Sequence, residues 1–250
     1  MNRTVRNKYR HLLLLCAVML LLGTACSRSE APAAGQPGTV TDVSIVTYME
    51  REAGTETYPV RILVSADYVR YDDGYDEGDY ALLDRRSRTL YSIAHENASV
   101  LVIENHPVSD PIPADLSLTE ELNVDNDAPA IAGKQPQHVK YLANGAPCYQ
   151  AVSVTGLMDD AVAGMTEYAT ALGERQRGNM QTVPEAMQTP CFLSRYAYAS
   201  GRHYNHGLPV ELWDDSGYYS SLTDFSEGET VPAGLFDVPD DYESIQLEQQ

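Results

Sequence analysis

The stretch that most constrains this chain runs from residue 57 to residue 104, TYPVRILVSADYVRYDDGYDEGDYALLDRRSRTLYSIAHENASVLVIE. Short runs of Val, Ile, Leu and Tyr are separated in it by the turn-rich breaks DDGYDEGD, DRRSR and HENA. β-Branched and aromatic runs of this length, bounded by turn residues, mark consecutive antiparallel strands. No period of 3.6 residues runs through the stretch to support a helix. Ile62-Leu63-Val64, Ala81-Leu82-Leu83 and Val100-Leu101-Val102-Ile103 are apolar at successive positions. A sheet with one wet face would alternate, so both faces of these strands are expected to be covered, by a helix or by a closed, occupied interior. Tyr68, Tyr71, Tyr75, Tyr80 and Tyr91 recur along the ribbon. An amphipathic ring suits rims and half-buried sheet faces, which makes ordinary packing the first reading.

The flanking segments extend the pattern. TVTDVSIVTYMER, residues 39–51, reads as a long first strand leading into the ribbon. Residues 105–135 are rich in Pro and Asp and hold one further strand at most, near 116–124. Residues 137–142 and 148–155 form a hairpin across Asn144-Gly145, a favoured two-residue turn. Residues 158–177 are the clear helix. Met158, Ala161, Val162, Met165, Tyr168, Ala169 and Leu172 make an apolar stripe at i, i+3, i+4 and i+7, with Asp159 and Asp160 in the first turn. Gly164 costs this helix ~1 kcal/mol against alanine and suits close packing on a sheet. Thr189-Pro190-Cys191 can open a second, short helix toward Ser200, although CFLSRYAYA also reads as a strand. Residues 208–213 and 217–223 return to strand. The prolines at 232 and 239 make VPAGLFDVPDDY a terminating edge segment.

The first 25 residues concern address rather than fold. Arg3, Arg6, Lys8 and Arg10 precede an almost unbroken apolar run over residues 12–22, the pattern of a secretory signal peptide. The run LLGTACS resembles a bacterial lipobox, with Gly23 where leucine is usual and Leu22 one residue earlier. That resemblance implies cleavage before Cys26 and lipidation of its thiol, and Ser27 after it implies sorting to the outer membrane. Two or more acyl chains exceed what stable anchoring needs. Residues 26–38 then read as the lipidated cysteine and a flexible, Pro/Gly-rich tether, and residues 39–250 as a single folded domain.

The formal charge is −19, and −23 once the four basic residues of the signal are removed. An acidic excess of that size argues against nucleic acid and against a face docked on anionic lipid. Of the four cysteines, Cys16 leaves with the signal and Cys26 is the lipidation site. Cys148 and Cys191 remain in an oxidising compartment and are expected to pair, closing a loop that the chain-entropy view values at roughly 4 kcal/mol. A catalytic thiol or metal ligand is the alternative for either, but their spacing matches no metal motif.

No constellation in the chain announces catalysis. Asp72, Asp73, Asp76, Glu77 and Asp79 are dense enough to attract calcium, but their spacing is not that of an EF-hand loop, and a solvated hairpin tip is the preferred reading. His203 and His206, with Glu211 and Asp214 downstream, lack a third ligand at metal-site spacing. Nucleotide, dinucleotide, zinc-protease and serine-hydrolase fingerprints are missing. The expectation is therefore no catalytic residues, no metal, no cofactor and no enzyme activity. Met158, Met165, Met180 and Met187 cluster in the helical insertion and its exit. Methionine adapts either to a core or to an apolar ligand such as an acyl chain.

Four segments, YVRYDD…GDYALLDRRSRTLYSI, IAGKQPQHVKYLANGAPC, TPCFLSRYAY…HGLPVELW and the run Pro232, Phe236, Pro239, Tyr242, resemble a group of proteobacterial outer-membrane lipoproteins without assigned role. More distantly the meander is similar to Lol-type lipoprotein carriers, half-open antiparallel barrels with helices on the concave face. The expected fold is α+β, mainly β. It is a curved antiparallel sheet or incomplete barrel, with one long amphipathic helix and a short second one, inserted at about 157–203, on its concave face. The two-sided apolar strands, the methionine-rich helix and this distant likeness together lead to the expectation of a lipid, acyl chain, other apolar molecule or lipoprotein as ligand, under a lid formed by Met158, Val162, Met165, Tyr168 and Leu172. An envelope protein partner engaged through surface contacts is the alternative. Replacing Cys26 with serine tests the address: the variant is expected to remain an unprocessed or soluble precursor, and fractionation with the outer membrane after a high-salt wash would refute lipidation.

Overall fold

The computed structural model describes residues 38–105, 108, 110–124 and 127–246; the signal, Cys26 and the tether through residue 37 lie outside them. The described chain is mainly β, twelve strands in one open sheet with helices packed on it. The first strand, β1 (Thr39–Arg51), lies near the middle. On one side a meander runs outward through β2 (Tyr58–Val64), β3 (Tyr68–Asp72), β4 (Tyr80–Asp84), β5 (Leu90–Ala94) and β6 (Ser99–Ile103). A second meander begins at the far edge with β7 (Leu118–Asn123). It returns through β8 (Gln137–Ala143), β9 (Ala146–Val154), β10 (Leu208–Trp213) and β11 (Tyr219–Pro232), which pairs with β1. Asn144 and Gly145, both at positive φ, make the β8–β9 turn as their dipeptide predicts.

Chain reach requires this sheet to curve. Residues 104–117 lead from β6 to β7, ten positions away in the strand order. At ~4.8 Å per strand a flat sheet would hold the two about 48 Å apart. A connection of this length spans only about 50 Å when fully extended. It is not fully extended, since Leu116 N–H turns back to the Pro113 carbonyl at 2.9 Å. Register shifts in the β1–β11 ladder at Val40/Val43, Val43/Ile45 and Thr47/Tyr48 supply bends at the centre.

Both faces are covered, and by different means. Val46, Ile62, Val64, Val69, Leu83 and Leu90 point to one face and pack against α1 (Asp159–Gly178) through Ala161 and Met165. Val43, Leu63, Leu82, Ile93 and Val100 point to the other, where Leu235, Phe236, Val238 and Tyr242 of the C-terminal segment cover them. Arg70 sits 1% exposed on that second face. It donates to Asp72 at 2.6 Å, to the Leu235 carbonyl at 2.6 Å and to the Asp76 carbonyl at 3.1 Å, and lies 3.9 Å over the Tyr80 ring. Burial alone would push the Asp72 carboxyl up, but hydrogen bonds from Arg61 and Arg70 hold it below the usual carboxylate range. Asp72 is thus a buried structural anion, not part of a solvated tip.

A third cluster, Val139, Tyr141, Tyr149, Ala151 and Leu212, lies in the β8–β10 wing. The second helical segment serves it. Thr189 Oγ1 caps Phe192 N–H at 3.2 Å, Pro190 opens α2 (Pro190–Phe192), and the chain continues as a π-helix, Leu193–Tyr198. CFLSRYAYA is therefore helical. Cys148 and Cys191 lie at disulfide distance with Cα atoms 5.2 Å apart, joining this segment to β9.

Two expectations need correction. The segment from residue 231 is not simply a terminating edge, because β11 pairs with β1 up to Pro232 opposite Thr39. Proline is tolerated there as the last residue of the strand. The edge is instead β12 (Glu243–Gln246), and it pairs with β6 in parallel, so the sheet is not antiparallel throughout. Among the described residues no helix is long and apolar enough to cross a membrane.

Gly164 brings α1 close to the sheet. A Cβ built there would lie 2.6 Å from Val64 Cγ1 and 3.0 Å from Val69 Cγ2. Both valines are sealed in the core and cannot swing away. Gly164→Ala is therefore expected to lower stability in urea unfolding by roughly 1–3 kcal/mol, overpacking outweighing the gain in helix propensity. Val64→Ala in the Gly164→Ala background should recover part of that loss, and strictly additive effects would refute the contact.

Candidate functional site

A cavity of about 200 Å³ opens where the two helical segments meet the sheet. β1 contributes Tyr48 and Glu50, β3 Tyr71, β10 Pro209 and Leu212, and the start of β11 Ser220, preceded by Tyr218. From above come Ala169, Leu172 and Gly173 of α1, with Arg195, His203 and Tyr204 of the second segment. Strand alternation places Glu50 here: Val46, Tyr48 and Glu50 share a face at i, i+2 and i+4, and the first two are core residues.

The wall is held by bonds among its own members. Tyr48 Oη donates to the Pro209 carbonyl at 2.9 Å, and Ser220 Oγ donates to Glu50 Oε1 at 3.2 Å. Tyr71 and Tyr204 hydrogen-bond each other, and Tyr71 stacks on Tyr168 at 4.2 Å between centroids. Arg195 forms a close ion pair with Asp214 and lies 4.6 Å from the Tyr218 ring centroid. Arg195 sits in the π-helix, where the i→i+5 bond from Ala199 N–H to the Ser194 carbonyl, 3.0 Å, widens the turn. π-Turns recur at functional sites.

The electrostatics separate the charged groups. Burial raises the phenol pKa of Tyr48, Tyr71, Tyr204 and Tyr218, so all four stay neutral. Burial also pushes Glu50 up, against opposing hydrogen bonds from Ser220 and Tyr218 and the charge of Arg195. Asp214 tends upward by burial but is held below the usual range by Ser216 and Arg195, so the Arg195–Asp214 pair is fully charged. Glu50 forms no direct ion pair among the described residues. His203 packs 4.1 Å from Tyr204 and edge-on to Tyr149, with Nδ1 buried and unpartnered. Burial, with Arg195 and Arg202 adding repulsion, drives it down to about 3.

Of the five residues expected to form the lid, Leu172 lines this cavity. Met158 and Met165 are 2% and 0% exposed and belong to the core, with Val162 and Tyr168 packed against them. The close approach at Gly164 leaves no room between that half of the helix and the sheet. The two histidines weighed as a metal pair part company: His203 is in the cavity wall, while His206 Nε2 bonds Glu120 Oε1 at 2.9 Å. Among the described residues no group of three His, Cys, Asp or Glu is arranged to hold a metal. Sequence reasoning missed Glu50, Arg195, Tyr204 and Tyr218. Only Glu50 carried a local signal, an acidic residue at a core-facing register position.

No protein-family model matches the chain, and no curated protein matches it. Two structures of PNGF-II, in space groups C2 and P21, are similar over 83% and 82% of this chain, with TM-scores of 0.41 and 0.40 at 8% identity. The chain spans about a third of their length, 31% and 32%.

His203 makes a pH prediction. Its folded pKa lies below the ordinary 6.5, so the unfolded chain takes up the proton first as pH falls. Stability is therefore full above about 6.5 and declines toward about 3 at up to ~1.4 kcal/mol per pH unit. Between pH 6.5 and 5, above the range where most carboxylates titrate, His203→Gln should flatten the profile of thermal unfolding. Identical slopes in wild type and variant would refute the buried, neutral state.

Proposed function

We propose that this chain is a lipid-anchored outer-membrane protein facing the periplasm, and that its body binds a small apolar or amphipathic ligand without transforming it. The sheet is read as a half-barrel, with the helical insertion on its concave face. The observation that carries the reading is the cavity of about 200 Å³ at the seam between sheet and helices, walled by tyrosine, leucine and proline. Ligand pockets are mostly apolar, with a few fixed polar groups, and usually run from about 300 to 1,000 Å³. This one is smaller, which favours a compact molecule or the end of a single chain over a whole diacyl lipid. The non-catalytic reading is supported by how the polar groups are engaged: Ser220 on Glu50, Tyr48 on a carbonyl, Arg195 on Asp214. Such a wall is rigid and pre-formed.

The lipobox-like run and the signal before it support the address, and the likeness to outer-membrane lipoproteins and Lol-type carriers supports the ligand class. A second reading, an envelope-assembly role through protein contacts, rests on the open edge at β7, where Leu122 and Val124 are 52% and 43% exposed. Open strand edges accept added strands. Native mass spectrometry of the full chain released from detergent, with lipid extraction in parallel, separates the two. Uptake of one small apolar or amphipathic molecule per chain, lost when Leu172→Trp fills the cavity, is expected. A delipidated chain that takes up no such molecule would leave the surface reading.

A further inference from the structure

Resting on the reading of the cavity as a binding site, we propose that the group it recognises is a small organic ammonium, with Glu50 as counter-charge and tyrosine rings as the surrounding shell. Arg195 and Asp214 cancel as a direct ion pair, and His203 is enclosed by Tyr149, Tyr204, Arg195 and Arg202 in its neutral form. That leaves Glu50 as the acidic side chain of the wall without a direct ion pair among the described residues, with Arg195 acting on it only at longer range. It receives a hydroxyl from Ser220, and Tyr218 bonds it too, but no cation sits on it. An anionic ligand would be repelled by the carboxylate form of Glu50, whereas a cation would stabilise that form and pair with it.

The rest of the wall suits the same guest. Tyr48, Tyr71, Tyr204 and Tyr218 line the space beside Glu50. Aromatic faces attract quaternary and substituted ammonium groups through the ring quadrupole, most strongly when the site is desolvated. At ~30 Å³ per water-sized group, 200 Å³ holds six or seven such groups, the size of a trimethylammonium head with a two-carbon arm. Such a head occurs on free amino-alcohols and on zwitterionic lipids alike, and the cavity chemistry is common to both.

The test is calorimetric titration of the full-length protein in a non-ionic detergent with choline, with its uncharged carbon isostere 3,3-dimethyl-1-butanol, and with dihexanoylphosphatidylcholine. Choline or the short-chain lipid should bind at least about tenfold more tightly than the isostere, a factor worth ~1.4 kcal/mol. Glu50→Gln, which keeps the bond to Ser220, should erase that preference while leaving the isostere unchanged. Binding of the lipid without free choline, still sensitive to Glu50→Gln, assigns the ammonium to a headgroup; the reverse assigns it to a free amine. Equal binding of choline and isostere would overturn the ammonium inference and leave the cavity reading intact. A charge preference that survives Glu50→Gln would overturn the role given to Glu50. No heat with any of the three overturns the inference, and the mass-spectrometric uptake then decides the cavity reading separately.

Discussion

A strand that is apolar on both faces has to be covered twice, and the architecture follows from that requirement. Ile62 and Val64 look one way from β2 while Leu63 looks the other, and β4 divides Leu83 from Leu82 in the same manner. An amphipathic helix covers one side. The other is closed by a short apolar run, Leu235, Phe236, Val238 and Tyr242, whose far end is tied down where β12 pairs with β6. Arg70 holds its near end. Its guanidinium reaches the Leu235 carbonyl from inside the sheet, and Tyr80 and His95 add bonds to the Asp237 carbonyl and to Tyr242 Oη. Burying a cation is costly unless its donors are satisfied. Here Asp72, two carbonyls and the Tyr80 ring satisfy it, and Asp72 is also bonded by Arg61 at 2.8 Å.

The inner cover comes in two pieces, and the cavity is a consequence of their joint. α1 lies tight on β1 to β3 because Gly164 lets it. The segment that follows is attached to the other wing, through Cys148 and Cys191 and through Arg195 and Arg202 over Tyr149 and Tyr141. Each piece is anchored to its own strands, and the two touch closely where Gly173 meets Ser200 and Gly201 meets Thr166, with the cavity beside that contact. Polar side chains in the cavity wall bond to one another. Glu50 and Ser220 do so between the paired strands β1 and β11, and Tyr71 and Tyr204 between β3 and the second helical segment.

Much of the β architecture was legible because it rests on local signals. Turn residues placed the breaks, two-sided apolar runs demanded two covers, and the methionine stripe with Asp159 and Asp160 marked α1. The π-helical continuation was less clear because CFLSRYAYA satisfies both helix and strand patterns; Thr189 and Pro190 at its start, a local cap, resolve it. The parallel pairing of β12 with β6 was not legible, being set by where a covering segment ends rather than by any pattern in ESIQ. The cavity was the least legible part. Its walls come from β1, β2, β3, β10, the start of β11 and two helical segments, and no spacing in one dimension brings Glu50 beside Tyr218 or Arg195. Met158 and Met165, chemically apt for an apolar guest, fill the core where the close approach at Gly164 holds the helix on the sheet, while Met187 lies 56% exposed.

Glu50 is the point at which stability and the proposed binding pull apart. Burial raises its pKa, so the folded chain holds a proton that the unfolded chain releases first as pH rises. That contribution is favourable below the ordinary glutamate range and is lost as pH rises through the raised value. Above that value the fold carries a buried carboxylate, in a wall where glutamine would keep the Ser220 bond. A group whose environment raises its free energy is one whose neutralisation by a ligand returns that energy as affinity. Aromatic rings around it strengthen the effect by excluding water, because the same desolvation that disfavours the bare carboxylate strengthens its attraction for a cation. In the proposed site the buried acid and the enclosing tyrosines thus act together on a cationic guest, and neither would favour it strongly without the other.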